Sequence, residues 1–348
     1  MIRSAIAGNE ELAGLESSQT TYVILGMVII LVTALIDYHY WESLSRILYG
    51  LIILLLVGIN LIGQAVFGSA RWFQVGTINI QPSELAKIVM ILVLANYFAK
   101  TAHERKDLHW VGKSFFLTFG VVVWILLQPN LSTSIVIFVL WIAMLWISGL
   151  PLKYFLIFGG IGVLGLSLFI GLLYLGVEIP FIEDYQIKRV VNFVFPDPNA
   201  RHGDNYNVEQ ALITIGSGGL FGQGYGHGTQ VQLRYLKVRH TDFIFSAMAS
   251  EFGFIGTVLI VALIVFVIIR CLRAARLAGD LFGALIAYGF ATLLFFQTVV
   301  NIGVNLKVVP VTGLTLPFIS YGGSSLLSLV MGIGLVESVV AHHKQLDF

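Results

Sequence analysis

Charged residues are scarce in this sequence of 348 residues. Asp, Glu, Lys and Arg together make up 11% of it, against roughly 25% in an average soluble domain. Hydrophobic residues make up 57%, and the mean hydropathy is +0.89. So few charges cannot form a water-exposed surface, which excludes a soluble globular protein and predicts an integral membrane protein. The formal net charge of +1 excludes a mainly electrostatic role such as binding nucleic acid.

Cysteine is almost absent as well. Cys271 is the only one, which excludes an internal disulfide and a cysteine-based metal site. Residues 1–20 lack a charged leader followed by an apolar run, so no signal peptide is expected. The sequence has no visible internal repeat or low-complexity tract. A single membrane domain over residues 1–348 is therefore the simplest organisation.

Long apolar runs predict an all-α, polytopic membrane protein. Nine runs are long enough for transmembrane helices, near residues 22–37, 45–63, 83–99, 111–128, 131–149, 152–176, 243–269, 281–303 and 321–341. Residues 64–82 and 304–320 are interpreted as short connections. Residues 177–241 contain six basic and six acidic residues and a glycine-dense run. We interpret them as one large extracellular loop with short amphipathic pieces such as Val208–Ile215.

The distribution of lysine and arginine predicts the orientation in the membrane. One side of the predicted helices carries Lys100, Arg105, Lys106, Arg270, Arg273, Arg276 and, near the C-terminus, Lys344. The short connections on the other side hold only Arg71 and Lys307. Because cytoplasmic loops are enriched in these residues, the first side and the C-terminus are expected in the cytoplasm. The loop 177–241 and the N-terminus are then expected outside.

Asp242 is the strongest candidate for chemistry. It lies where the external loop re-enters the membrane, and ionisable groups beside spans are often functional. It follows a group of basic residues, Arg234, Lys237 and Arg239. Thr241 or Asp242 is also a favoured helix N-cap, and the spacing does not decide between cap and catalyst. Glu251 lies nine positions further on, half a turn out of phase, which disfavours a glycosidase with two carboxylates.

A second polar cluster combines Arg71 and Trp72 with the run Gln81–Lys87. Glu84 and Lys87 in this run lie one turn apart on one helix face. An ion pair at a helix start and an interfacial tryptophan explain these residues without a function. A lysine inside a span, however, needs a partner or a water-filled cavity.

Two further segments are rich in glycine or proline. Pro310–Ser325 contains two prolines and three glycines, which predicts non-helical backbone at membrane depth; such backbone is tolerated only when it is buried or lines a wet cavity. A plain loop before a small-residue packing face is the alternative. The run Gly216–Gly228 has the composition of a phosphate cradle, but it lacks the ending of a Walker motif. A flexible external loop is the simpler interpretation of this run.

Four runs resemble the SEDS family (shape, elongation, division, sporulation) of bacterial cell-wall glycosyltransferases. They are Arg71-Trp72 with Gln81–Lys87, then Ile215–Gly222, His240–Phe245 and Pro310–Ser325, and together they span nearly the whole chain. Two details resemble the elongation branch, RodA, more than the division branch, FtsW. These are Val311–Gly313, and Arg239-His240 combined with Ser250–Phe254.

The sequence departs from the family pattern at two places. The family has ten transmembrane helices with both ends in the cytoplasm, whereas nine are predicted here. Met1–Ala5 resembles the outer end of the family's first helix, so that helix is expected to be missing. The family also has Gln-Pro-Asp-Leu-Gly-Thr where this chain has Gln128–Thr133, with Asn130 in the place of the aspartate.

The resemblance implies a peptidoglycan polymerase in cell-wall elongation and cell-shape maintenance. Its substrate would be lipid II, the undecaprenyl-pyrophosphate-linked disaccharide-pentapeptide. The 4-hydroxyl of one sugar attacks the anomeric carbon of another, and the lipid pyrophosphate leaves. The resemblance also implies a divalent cation, Mg²⁺ or Mn²⁺, and a class B penicillin-binding protein as the transpeptidase partner. The enzyme would lie among the lipids of the bacterial cell membrane, with its active site on the outer face.

The residues fit this chemistry. A hydroxyl nucleophile needs one general base, for which Asp242 is placed at the external membrane face. A pyrophosphate leaving group needs cations rather than an acid. The candidate substrate-binding residues are Arg71, Trp72, Glu84, Lys87, Arg189, Arg234, Lys237, Arg239, Thr312, Ser320 and Tyr321. No metal ligands are assigned.

Two functions of other classes remain as alternatives. A transporter or flippase of lipid-linked sugars would use the same cations and broken helices, but it needs alternating access rather than a base. The lack of a clear inverted repeat weighs against it. A non-catalytic scaffold of the wall-synthesis complex would leave Asp242, Lys87 and Pro310–Ser325 without a purpose beyond packing.

Overall fold

The computed structural model describes residues 3–4, 14–62, 64–66, 69–75, 78–174, 204–233, 235–236 and 238–342. These residues form mainly helices, as predicted. The helices are α1 (Leu15–Leu35), α2 (Tyr38–Ile62), α3 (Pro82–Lys100), α4 (Leu108–Leu126), α5 (Leu131–Ile147), α6 (Leu152–Tyr174), α7 (Asp204–Ser217), α8 (Thr229–Gln232), α9 (Ile244–Leu277), α10 (Leu281–Asn305) and α11 (Gly323–Ala341).

Each of the nine predicted spans overlaps a helix of the described residues, and the largest difference is at α9, which extends to Leu277 rather than to residue 269. By length and composition, seven of these helices can cross a membrane, namely α1 to α4 and α9 to α11. Leu131–Ile147 and Leu152–Gly165 are also apolar but shorter. The chain is therefore a multi-pass membrane protein, as its composition predicts.

The connection between α2 and α3 has a secondary structure that the sequence analysis did not predict. It contains a small antiparallel sheet of β1 (Gln64–Val66), β2 (Ser69–Val75) and β3 (Ile78–Ile80). Ala65 pairs with Ala70, and Phe73 pairs with Ile80. Strands of three to seven residues are too short to give a clear alternating pattern, which is why the sequence did not indicate them. The sheet satisfies backbone groups that a link without regular structure would leave unpaired.

Helix α3 lies at the centre of the helix bundle. Fifteen of its 19 residues are buried, and it packs against α2, α10, α5 and α11. By contrast, only three residues of α1 are buried, and this helix packs mainly on α11. A side chain at Gly323 would overlap the ring of Tyr22, so the two helices approach closely there. The polar residues at the start of α3 are consequently enclosed by protein rather than by lipid.

Helix α9 is kinked at Gly253, which has φ 67° and ψ −169°, a combination that only glycine adopts readily. The glycine-rich run packs on this kink through backbone hydrogen bonds. Gly224 N donates to Glu251 O at 3.0 Å, and Phe254 N donates to Gly219 O at 2.9 Å. Side chains at Gly218 or Gly222 would overlap backbone atoms of α9. A close backbone contact with α9 therefore explains Gly218 and Gly222, which the flexible-loop interpretation did not anticipate.

Candidate active site

Asp242 lies in the turn before α9 and is partly exposed. Helix α9 has Phe243 as its N-cap residue, so neither Thr241 nor Asp242 occupies the cap position. A side chain of α10 satisfies a donor of the first turn instead. Asn305 Oδ1 accepts hydrogen bonds from Ser246 N at 3.2 Å and from Ser246 Oγ at 2.6 Å. Neither residue is therefore the N-cap residue of α9, and the catalytic role of Asp242 stays a prediction.

Two amides of α10 also bind the main chain of Asp242. Asn301 Nδ2 and Asn305 Nδ2 each donate to Asp242 O at 3.0 Å. The Asn301 amide donates in addition to Leu314 O at 2.8 Å. Helix α10 therefore connects the turn of Asp242 to the segment that follows this helix.

That segment, residues 306–322, is non-helical and packs against the Asp242 turn, whereas Gly323–Ser325, which the prediction included in the non-helical backbone, begin α11. Tyr321 N donates to His240 O at 2.8 Å, and Ser320 Oγ donates to Thr241 O at 2.8 Å. Gly313 has φ 78°, and a Cβ atom there would lie 3.8 Å from Asp242 Oδ2. The Asp242 carboxylate consequently faces a glycine in the left-handed region, while Ser320 and Tyr321 adjoin the same turn.

The same segment reaches the start of α5. The Ser132 hydroxyl donates to the carbonyl of Thr312, and Thr312 Oγ1 accepts from Leu314 N at 3.4 Å. Asn130, which stands in the place of the family's aspartate, is the N-cap of α5: its Oδ1 accepts from Thr133 N at 3.3 Å. Its Nδ2 donates to Ser83 Oγ at 3.3 Å. The replacement thus preserves a capping side chain but removes a negative charge.

Glu84 and Lys87 lie in the first turns of α3, one turn apart. Lys87 Nζ donates to Glu84 Oε2 at 2.7 Å. The Lys87 side chain has no exposed surface, and that of Glu84 is 11% exposed. The pair explains how a lysine can lie inside a span, since its charge has a partner.

Arg71 and Trp72 lie on β2, and both are partly buried. Arg71 Nε donates to Gln128 O at 2.8 Å, and its Nη2 donates to Pro129 O at 2.5 Å. The planar guanidinium therefore binds the carbonyls that follow α4.

Ser324 joins the end of β3 to the start of α11, because its hydroxyl donates to Asn79 O at 2.8 Å and accepts from Gln81 N at 2.9 Å.

His240 and Glu251 complete the surroundings of the turn. Burial, together with the charge of Arg239, lowers the pKa of His240 from its ordinary value. The Glu251 side chain is 1% exposed, and its Oε1 accepts from the Ser4 hydroxyl. Asp242 faces Gly313 instead, so the two carboxylates contact different segments. Among the described residues, no group of three or more His, Cys, Asp or Glu is arranged to hold a metal ion.

Comparisons with known proteins identify the family. Residues 1–345 match the profile of the FtsW, RodA and SpoVE family, described as cell cycle proteins. The chain belongs to this family. It is 36% identical over 334 residues to the peptidoglycan glycosyltransferase MrdB of Escherichia coli K12, covering 96% of this chain and 88% of MrdB. It is 35% identical over 329 residues to stage V sporulation protein E of Bacillus subtilis, covering 92% and 85%.

Solved structures of this family have the same fold. A chain of a peptidoglycan synthase complex that coordinates polymerization and crosslinking superposes with a TM-score of 0.80 and 31% identity, covering 98% of this chain and 94% of that one. RodA of Thermus thermophilus superposes with a TM-score of 0.68 and 30% identity, covering 99% and 92%. The SEDS assignment is confirmed, and similarity to MrdB and RodA supports the RodA-like branch.

The predicted site residues fall into three groups. Ser320 and Tyr321 bind the two residues before Asp242, and the buried Arg239 lies three positions before it. A second group lies around the starts of α3 and α5: Arg71, Trp72, Glu84, Lys87 and Thr312. A third group, Arg189, Arg234 and Lys237, lies outside the described residues.

The prediction missed several residues that connect these family motifs, namely Ser132, Asn305 and Ser324. Asn301 and Asn305 are four positions apart in an apolar helix. This spacing places two amides on one face, which is a signal that sequence reasoning could have used. Ser132 and Ser324 have no comparable signal, because their partners are distant in sequence.

Proposed function

We propose that the protein is a peptidoglycan glycosyltransferase that transfers the lipid-linked disaccharide of lipid II to a growing chain or to another lipid II. Relatives named peptidoglycan glycosyltransferases share 36% identity with nearly the whole chain. The observation that carries the proposal is the position of Asp242. Its carboxylate faces Gly313 of the non-helical segment 306–322, and the turn that contains Asp242 is hydrogen bonded to the same segment.

In the proposed reaction Asp242 is the general base. One carboxylate oxygen accepts the proton of the sugar 4-hydroxyl while the hydroxyl oxygen forms a bond to the anomeric carbon of the second substrate. The bond from that carbon to the pyrophosphate oxygen breaks, and lipid pyrophosphate leaves. A positioned base of this kind typically contributes about 10²–10⁴-fold to the rate. Gly313, which has no side chain, lies beside this carboxylate.

Cationic and polar side chains around the turn are proposed to bind the substrate. The cations that would stabilise the pyrophosphate charge are Arg71, Lys87 and Arg239, together with Arg189, Arg234 and Lys237 of the loop. Thr312 and Tyr321 would offer hydroxyl groups to the sugars, and Trp72 would offer an apolar face. The Ser320 hydroxyl donates to Thr241 O, so it would only accept a hydrogen bond from a sugar. Glu84 would act indirectly, since its carboxylate lies 2.7 Å from Lys87 Nζ and would orient that side chain.

A divalent cation, Mg²⁺ or Mn²⁺, is proposed as an assisting group. The donor set fits a cation bound mainly by substrate phosphates, because Mg²⁺ commonly uses one or two carboxylates plus phosphate oxygens. Asp242 is the carboxylate that this turn offers. The cation would neutralise charge that develops on the departing pyrophosphate.

We propose that the active site faces the outside of the cell membrane and that the C-terminus is cytoplasmic. The basic residues of the connections after α3 and at the end of α9 support this orientation. We further propose a class B penicillin-binding protein as the partner that crosslinks the product. The likeness to a chain of a complex that coordinates polymerization and crosslinking supports this partner.

The test is polymerisation of lipid II by the purified protein, co-expressed with its transpeptidase, in wild-type and Asp242→Asn forms. We expect the variant to lose polymer formation by about 10²-fold or more, because an amide cannot accept the proton. Asp280→Asn is the matched control: Asp280 caps α10 through Gly283 N at 2.9 Å, and asparagine caps equally well. Near wild-type polymerisation by Asp242→Asn would refute the base assignment. A wild type that makes no polymer would favour transport or scaffolding.

A further inference from the structure

Asn301 and Asn305 are buried amides inside a membrane-spanning helix. Asn301 is 1% exposed and Asn305 is fully buried, and most of their neighbours in α10 are apolar. An amide in such surroundings is costly unless it is hydrogen bonded. Their bonds therefore indicate what these two side chains do.

Both amides bind the same main-chain atom. Their Nδ2 groups each donate to Asp242 O at 3.0 Å, from two consecutive turns of α10. One carbonyl oxygen has two lone pairs, so these two donors use its full capacity. The position of Asp242 is thus fixed relative to α10 from two directions.

Each amide also binds a second part of the site. Asn301 Nδ2 donates to Leu314 O at 2.8 Å, next to the Gly313 that Asp242 faces. Asn305 Oδ1 accepts from the main chain and the hydroxyl of Ser246 in the first turn of α9. Asn301 and Asn305 therefore connect the main chain of Asp242 with the two segments that border it, which are residues 306–322 and the first turn of α9.

We propose that Asn301 and Asn305 are positioning residues, which hold Asp242 in its catalytic geometry through its carbonyl group. This inference rests on the proposed function of Asp242. A displacement of about 1 Å at a catalytic group can cost roughly 10²-fold in rate. The pair acts on the position of the base and does not contact the substrate, so it contributes to kcat rather than to KM.

The experiment measures kcat, KM for lipid II and thermal unfolding of Asn301→Leu and Asn305→Leu. Leucine has nearly the same shape but donates no hydrogen bond. We expect kcat to fall by about tenfold to a hundredfold, with KM changed by less than about twofold. Asn301→Gln, which retains an amide donor, is expected to recover part of the lost kcat.

Thr298→Val is the matched control in the same helix. Thr298 is 5% exposed, and its hydroxyl donates only to Leu294 O of its own helix, at 2.7 Å. This variant loses a buried polar group without affecting the Asp242 turn, so its kcat should equal that of the wild type.

Ser246→Ala is a milder test variant, to be used if a leucine variant does not fold. It removes one bond to Asn305, and we expect a two- to fivefold lower kcat, as for about one neutral hydrogen bond.

The outcomes separate this inference from the proposed function. Asp242→Asn without activity, together with unchanged kcat in Asn301→Leu and Ser246→Ala, would overturn the positioning role alone. A loss of kcat that only parallels the loss of folded protein would also overturn it. Full activity of Asp242→Asn would instead refute the proposed base. Reduced kcat at unchanged KM, with Thr298→Val unaffected, is the result that supports positioning.

Discussion

Lys87 and Glu84 form an ion pair inside the helix bundle, with Lys87 Nζ 2.7 Å from Glu84 Oε2. The lysine side chain is fully buried, and that of the glutamate is 11% exposed. Removing one partner of such a pair leaves an uncompensated buried charge, whereas replacing both by neutral groups often costs little. The pair is therefore more sensitive to single substitutions than to a double one.

We predict that Glu84→Gln lowers the free energy of unfolding by about 3–5 kcal/mol, because Lys87 loses its counter-charge. Combining Glu84→Gln with Lys87→Met should recover much of this loss. Thermal unfolding of the purified variants in detergent measures both effects. An unfolding temperature of Glu84→Gln equal to that of the wild type would contradict the prediction.

The contact between the glycine-rich run and α9 gives a second prediction. Gly222 has φ 81°, and a side chain there would overlap backbone atoms of Glu251 and Gly253. We expect Gly222→Ala to destabilise the protein by at least about 1–3 kcal/mol, the cost of a non-glycine residue in a strained backbone region. The change in unfolding temperature measures this.

Gly216→Ala is the control from the same run. A side chain at Gly216 meets nothing within 4 Å, and Gly216 lies in α7. Alanine in a helix is favoured over glycine by up to about 1 kcal/mol, so this variant should be equally or more stable. Equal unfolding temperatures of Gly222→Ala and Gly216→Ala would show that stability does not depend on close contact between the glycine-rich run and α9.

Some features of the fold depend on residues that are close together in the sequence, whereas contacts within the candidate site join residues that are far apart. The apolar runs predict the helices because about 20 residues are needed to cross a bilayer. Asn305, by contrast, satisfies the first turn of α9 from 59 positions away, and Arg71 binds carbonyls 57 and 58 positions away. Spacing alone left Thr241 or Asp242 as a possible cap, because a distant side chain such as that of Asn305 leaves no local pattern. The motifs thus indicated candidate segments for the site, but not how these segments contact each other.

The lowered pKa of His240 predicts how folding stability depends on pH. Burial and the nearby Arg239 lower its pKa in the folded protein, whereas in the unfolded chain it has the ordinary value near 6.5. Above about pH 6.5 neither state binds the proton, so His240 causes no pH dependence there. As the pH falls below this value, the unfolded chain takes up the proton first. Folding stability should therefore decrease on the acid side.

The measurement compares unfolding temperatures of the wild type and His240→Gln from pH 8 to pH 5. We expect the difference between them to be constant at high pH and to shift in favour of the variant below about pH 6.5. The substitution leaves the bond from Tyr321 N to the main-chain oxygen of residue 240 in place. Other titrating groups affect both proteins alike and cancel in the difference. A difference that stays constant down to pH 5 would contradict the lowered pKa of His240.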